Sequence, residues 1–321
     1  MDIDDIHPDA RAVLERRRSL GLGPLHELGV RRVRFLQRLT EAMGGTSGPA
    51  VAATTDMRVP GPDGDIDVRA YRPEGDGPYP TVVFFHGGGF VFGSIETHDA
   101  LCRALATESD SVVLSVDYRL APEDPFPAAV EDAYAATAWA ADNPEKLRST
   151  GELSVVGDSA GGTLAAVVAL MAAEREAGIE REGVTVETDV VPDIDRQALL
   201  YPGVGVAEGQ ESVEEFGGLV LTQDDLEWFR DCYYGDEATQ RHPYADPIHA
   251  DDFAGVAPAT VLTAGFDPLR DGGRAYAAKL VGDGVDTTFE EFDDMIHGFA
   301  TEIGRIERAQ EAVEFVAADL P

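Results

Sequence analysis

Lysine is almost missing from this chain. Lys146 and Lys279 are the only two, and arginine carries the rest of the positive charge. Basic side chains number 25 against 60 acidic ones, a formal net charge of −35 over 321 residues. A surface so poor in cations repels phosphate backbones and anionic lipid, so a nucleic-acid partner is not expected. The acids run from Asp2 to Asp319 rather than in one block. That spread suits a whole-surface adaptation to a salty cytoplasm, where screening removes self-repulsion, better than a patch for one cationic partner.

Cysteine is scarce too. Cys102 and Cys232 are too few and too far apart for a disulfide framework or a cysteine zinc site, and free thiols are expected. Long apolar runs are absent: none approaches the ~20 residues of a membrane-spanning helix. The opening MDIDDIHPDA lacks the basic start and apolar run of a secretory leader. These absences point to a soluble, cytoplasmic protein. What the chain has is apolar material, 44% of its residues, enough for a large core and too much for disorder.

Residues Pro8 to Met43 read as amphipathic helix, with Val13, Leu14, Leu20, Val33, Phe35, Leu36 and Leu39 at helical spacings. The run Gly44–Pro49 breaks that pattern as a linker. Thr54–Val59 and Ile66–Tyr71 alternate like two strands of a hairpin with a long loop between them. From Thr81 onward short apolar runs (81–85, 112–118, 153–157, 197–201, 260–265 and 288–292) alternate with helical stretches. The helical stretches are Thr97–Ser109, Ala128–Asn143, Ala160–Ala177, Asp224–Tyr234, Gly272–Gly282 and Ile306–Ala318. Strand–helix alternation predicts an α/β fold with a mostly parallel sheet covered on both faces. Residues from about Gly203 to Tyr234 interrupt the rhythm like an insertion.

Chemistry concentrates at strand ends. Gly157-Asp158-Ser159-Ala160-Gly161 follows the run LSVVG and opens a helix rich in small residues. A nucleophile on a sharp strand-to-helix turn needs such small neighbours, because the backbone passes close to itself. His86-Gly87-Gly88-Gly89-Phe90 follows the run TVVFF. Three consecutive glycines are costly in backbone entropy, and close approach of N–H groups to an oxyanion would justify them. Neither G-x-G-x-x-G nor a P-loop ending is present there, and His86 itself reads as loop-stabilising rather than proton-carrying. Further on, Asp267 follows TVLTAG and His297 follows the strand around TFEEF. The order serine, acid, histidine, each at a strand end, is that of a nucleophile-elbow triad. His7, His26, His98, His242 and His249 lack such a position and read as surface or packing residues.

HGGGF, DYRLAPEDPFPAA (117–129), GDSAGG, DPLRD and HGF together resemble the hormone-sensitive-lipase-like esterases, the bacterial-type family IV. The likeness runs from about Thr55 to the C-terminus. It implies an eight-stranded α/β-hydrolase domain over 49–321, with a helical cap built from residues 1–48 and the insertion at about 203–234. It also implies a catalytic triad of Ser159, Asp267 and His297, and an oxyanion hole formed by the N–H groups of Gly88, Gly89 and Ala160. Asp158 would have a supporting structural role, and 118–126 would be scaffold. One departure is Gly272, where the family commonly has an acidic residue after DPLRD.

The implied activity is hydrolysis of short-to-medium-chain carboxylic esters through an acyl-enzyme, with no metal or cofactor and a small-molecule ester as the partner. An amidase, deacetylase or lactonase would use the same triad, and a non-catalytic ligand-binding protein could share the fold, although His297 is retained here. A homodimer through a C-terminal sheet edge is one assembly that the resemblance allows.

Overall fold

The computed structural model describes residues 5–21, 23–42 and 48–321. Two helices come first, α1 (Pro8–Ser19) and α2 (Leu25–Ala42), followed by the strands β1 (Ala53–Gly61), β2 (Gly64–Arg72) and β3 (Tyr79–Phe85). Then come α3 (Asp99–Glu108), β4 (Val112–Val116), α4 (Ala128–Asp142), α5 (Pro144–Leu147), β5 (Ser149–Asp158), α6 (Ala160–Glu176) and β6 (Arg196–Leu200). The helices α7 (Glu211–Phe216), α8 (Gln223–Tyr233) and α9 (Glu237–Gln240) lead to β7 (Ala259–Phe266), α10 (Arg270–Gly282), β8 (Thr287–Ile296) and α11 (Glu307–Ala317).

The eight strands form one sheet in the order β1-β2-β4-β3-β5-β6-β7-β8. β2 runs antiparallel to both neighbours, and every pairing from β4 to β8 is parallel. This is the expected α/β-hydrolase architecture. Alternation along β3 shows why both faces must be covered: Val83 and Phe85 enter one apolar cluster, Val82 and Phe84 the other. Leu164 and Leu170 of α6 and Tyr276 of α10 pack on the first face. Leu101 and Leu105 of α3, Val313 of α11 and Val13 and Leu14 of α1 pack on the second.

One expectation is corrected and two are made more specific. The helical stretch expected from Pro8 is two helices: Gly21 lies at φ 63°, Pro24 follows, and α2 itself kinks at Gly29, which lies at φ 69° and ψ 163°. The loop of the β1–β2 hairpin is tight, because pairing continues to Gly61 opposite Gly64 and leaves only Pro62 and Asp63 to turn. The insertion holds α7 as well as α8. The linker expected from Gly44 lies largely outside the described residues. Cys102 is buried and Cys232 partly buried, and both are free thiols.

Candidate active site

Strand ends gather the three residues of the expected triad. β7 and β8 pair in parallel up to Phe266 opposite Ile296, so the next residues, Asp267 and His297, leave the sheet side by side. One strand intervenes before β5, whose last residue, Asp158, pairs with Leu200 of β6. Ser159 then turns the chain into α6 with φ 53° and ψ −117°, a backbone that L-residues adopt only under constraint. The constraint is visible. The Ser159 N–H donates to the Leu200 carbonyl at 2.9 Å, and the Ser159 carbonyl accepts from the Thr163 and Gly203 N–H groups, each at 3.1 Å.

The glycines of the elbow make that turn sterically feasible. A Cβ on Gly157 would lie 2.1 Å from the Gly161 carbonyl oxygen, and one on Gly161 would lie 1.9 Å from that of Phe85. The same crowding accounts for Gly272, where a Cβ would stand 2.1 Å from the Val204 carbonyl oxygen.

The resulting line of atoms is short. His297 Nε2 lies 3.0 Å from Ser159 Oγ, and His297 Nδ1 lies 2.7 Å from Asp267 Oδ2. Asp267 is fully buried, and its other oxygen, Oδ1, accepts the Leu269 N–H at 2.8 Å. The Tyr201 ring packs edge-on against the imidazole at 5.1 Å. A hydroxyl, an imidazole and a buried carboxylate so arranged can pass the hydroxyl proton to nitrogen while the carboxylate holds the ring in one tautomer.

The glycine loop after β3 faces this line. Gly88 and Gly89 adopt φ 125° and 59°, and with Ala160 they line the same cavity as Ser159 and His297. The N–H groups of Gly88, Gly89 and Ala160 have no acceptor among the described residues. The loop is braced from below. Asp158 Oδ1 accepts the Gly87 N–H at 2.8 Å and lies 3.1 Å from His98 Nε2. Burial alone would raise the Asp158 carboxyl, but His98 and the Gly87 N–H outweigh it and hold the group below the usual carboxylate range.

His86 is fully buried and stacks on Tyr118 at 4.3 Å, and the Tyr118 hydroxyl donates to the His86 carbonyl at 2.6 Å. Burial pushes the imidazole down to about 3, so it is neutral under ordinary conditions, as suits a loop brace. His98 was not singled out by the sequence, because no motif marks a helix N-cap that reaches back under another loop. Only the fold brings it to Asp158.

Above the serine lies a cavity of about 670 Å³ whose wall includes Leu25, Leu36 and Gln37 of α2 and Leu226, Phe229 and Tyr233 of α8. α2 is fastened to the loops below it. Arg34 donates to the Val91 and Ala121 carbonyls, each at 2.8 Å, and the Gly93 N–H donates to Gln37 Oε1 at 2.9 Å. His26 binds α2 to α8 through Asp225 Oδ1, which accepts its backbone N–H at 2.8 Å and lies 2.9 Å from Nδ1. No group of histidines, cysteines and carboxylates among the described residues could hold a metal ion, and no described helix is long and apolar enough to cross a membrane.

A family model described as alpha/beta hydrolase fold matches residues 82–301. The chain belongs to that family. Within it, the chain groups with the hormone-sensitive-lipase-like esterases. It is 42% identical over 269 residues to the carboxylic ester hydrolase LipN of Mycobacterium tuberculosis, an alignment covering 82% of this chain and 68% of that protein. It is 33% identical over 326 residues to an ethyl acetate hydrolase of Pseudomonas putida, covering 98% of each. Among solved structures, a hyperthermophilic esterase from Pyrobaculum calidifontis superposes with a TM-score of 0.86 at 40% identity, over 98% of this chain and 97% of that one.

Proposed function

We propose that this serine carboxylic-ester hydrolase works through Ser159 as nucleophile, His297 as general base and acid, and Asp267 as the group that orients His297. The observation that carries the reading is the Ser159–His297–Asp267 line, with separations of 3.0 and 2.7 Å. Ser159 Oγ attacks the ester carbonyl carbon as its proton passes to His297 Nε2. The carbonyl oxygen becomes an oxyanion facing the N–H groups of Gly88, Gly89 and Ala160, where one such donor contributes roughly 10²–10³ in rate. Collapse breaks the carbon–oxygen bond to the alcohol, which leaves with the proton from His297. Water then repeats the sequence on the acyl-enzyme, returning the carboxylic acid and free Ser159.

The substrates we assign are short-to-medium-chain esters. The segment over the serine mixes Leu219, Val220, Leu221 and Trp228 with acids instead of offering the broad apolar face that a long triglyceride chain would need. We read α1, α2 and the 203–234 segment as a cap on the 49–321 catalytic domain, and the acidic surface as adaptation to a salty cytoplasm. A homodimer through a C-terminal sheet edge remains part of the proposal. The test is a series of para-nitrophenyl esters measured in low and high salt, with Ser159→Ala beside the wild type. Ser159→Ala should lower kcat by a factor on the order of 10⁶ with little change in Tm. Retained turnover overturns the mechanism, and a rate maximum on laurate or a longer acyl chain overturns the substrate class.

A further inference from the structure

With 60 acids to choose from, most of the 25 basic side chains find a carboxylate or carbonyl, and those that do not are informative. Residues 5–42 carry eight arginines against five carboxylates, so the helices over the site reverse the sign of the molecule. Arg18, Arg32 and Arg38 there make no ion pair or side-chain hydrogen bond among the described residues, and Arg18 lines the cavity. A second cation lies deeper. Arg230 projects from the face of α8 that also presents Leu226, Phe229 and Tyr233 to the cavity. Among the described residues its side chain makes one long hydrogen bond, from Nε to the Leu226 carbonyl at 3.4 Å, and no ion pair.

The carboxylates on the cavity wall are already engaged by N–H donors. Asp158 accepts from Gly87, Asp225 from Thr222 and His26, and Asp246 from Gly205 and Ile248. The cavity wall therefore carries, in Arg230, a partly buried guanidinium with no ion-pair partner among the described residues, set in a largely apolar surface. A guanidinium is suited to bidentate capture of a carboxylate.

We infer that the site is selective for esters that carry a carboxylate away from the scissile bond, with Arg230 as the specificity residue and Arg18 of α1, on the cavity wall, drawing the anion in. This rests on the hydrolase reading above. Local field decides the approach, because in salt the acidic body of the protein is screened within a few ångströms while a partly buried cation is screened far less. The position of Arg230 inside the cavity favours a small anionic ester over an anionic lipid surface, which would meet only the outer arginines.

The experiment compares matched esters that differ by a methyl-for-carboxylate exchange. On the acyl side the pair is para-nitrophenyl valerate and mono-para-nitrophenyl glutarate; on the alcohol side it is para-tolyl acetate and para-acetoxybenzoate. The readout is the ratio of kcat/KM for the charged over the neutral member, which cancels any general loss of activity in a variant. The wild type should favour the charged member of at least one pair by about tenfold or more, as expected for a charge-assisted contact. Arg230→Met should bring that ratio to about one, and Arg230→Lys should keep part of it. A wild-type ratio near one in both pairs, or an Arg230→Met ratio equal to the wild type, overturns the inference. So does acceleration by anionic vesicles that is equal for both members, which would give the arginines to a membrane surface. Absence of turnover on every ester, neutral ones included, would instead count against the hydrolase reading itself.

Discussion

The strand ends and the helices above them are built on opposite terms. Below, the elbow tolerates no freedom: the Ser159 backbone is strained, and its N–H and C=O are both tied to neighbours. Carbonyl oxygens also stand 1.9–2.1 Å from where Cβ atoms would be on Gly161 and Gly157. Above, α2 is kinked, leaves Phe35 64% exposed and Leu39 47% exposed, and buries only Val33 fully while Arg34, Gln37 and His26 tie it by polar contacts. A reaction centre must be held to a fraction of an ångström, and a packed sheet can do that. A wall that admits substrate needs fewer buried contacts, and such regions belong to the less stable part of a fold. On the proposed function, the difference separates the region that carries the chemistry from the region that sets selectivity.

The largest expected effect falls on the lower region. Asp267→Asn would leave the fold intact but favour the wrong tautomer of His297, and kcat should fall by about 10⁴-fold. A loss of less than tenfold would mean that the buried carboxylate only packs. The next prediction lies where the regions touch. A Cβ on Gly89 would come 2.3 Å from Phe229 Cδ1 of α8, at a backbone φ of 59°. Gly89→Ala should therefore lower kcat/KM, and Phe229→Ala should restore part of the loss. In a double-mutant cycle the coupling should be on the order of 1 kcal/mol. Additive effects would show that the glycine loop and α8 are independent. The smallest effect belongs to the outer surface. In denaturant titrations Leu114→Ala, in the middle of β4, should cost about 2–5 kcal/mol. Phe35→Ser on α2 should stay within about 0.5 kcal/mol. Similar losses would erase the contrast between a packed base and a loosely held cover.

Legibility followed the same divide. The strand runs from Thr81 onward, and the helices between them, could be read because apolar periodicity is the cause of their burial as well as its mark. Ser159 was legible before any resemblance, since an elbow needs glycines in fixed places along one short segment. Asp267 and His297 were legible from order and strand-end position. Less could be read where the periodicity was real but its continuity was not. The amphipathic pattern from Pro8 crosses Gly21 and Pro24 without showing that the axis breaks there. The hairpin's turn residues were visible, but not that pairing would run on to Gly61 and Gly64. His98 carried no signal at all, because its partner Asp158 is distant in sequence.

The sequence by itself determined the strands and longer helices from Thr81 onward, the fold class and the strand ends at which Ser159, Asp267 and His297 stand, because these follow from local periodicity and from steric demands within a few residues. Only the tertiary structure decided that Asp267 and His297 meet, through the β7–β8 register, and that Asp158 and His98 brace the glycine loop. It alone also set Arg230 in the cavity wall with no ion pair among the described residues. Contacts of that kind depend on how separate segments approach in space, and no spacing along the chain encodes which of 60 acids will be near enough to neutralise a given arginine.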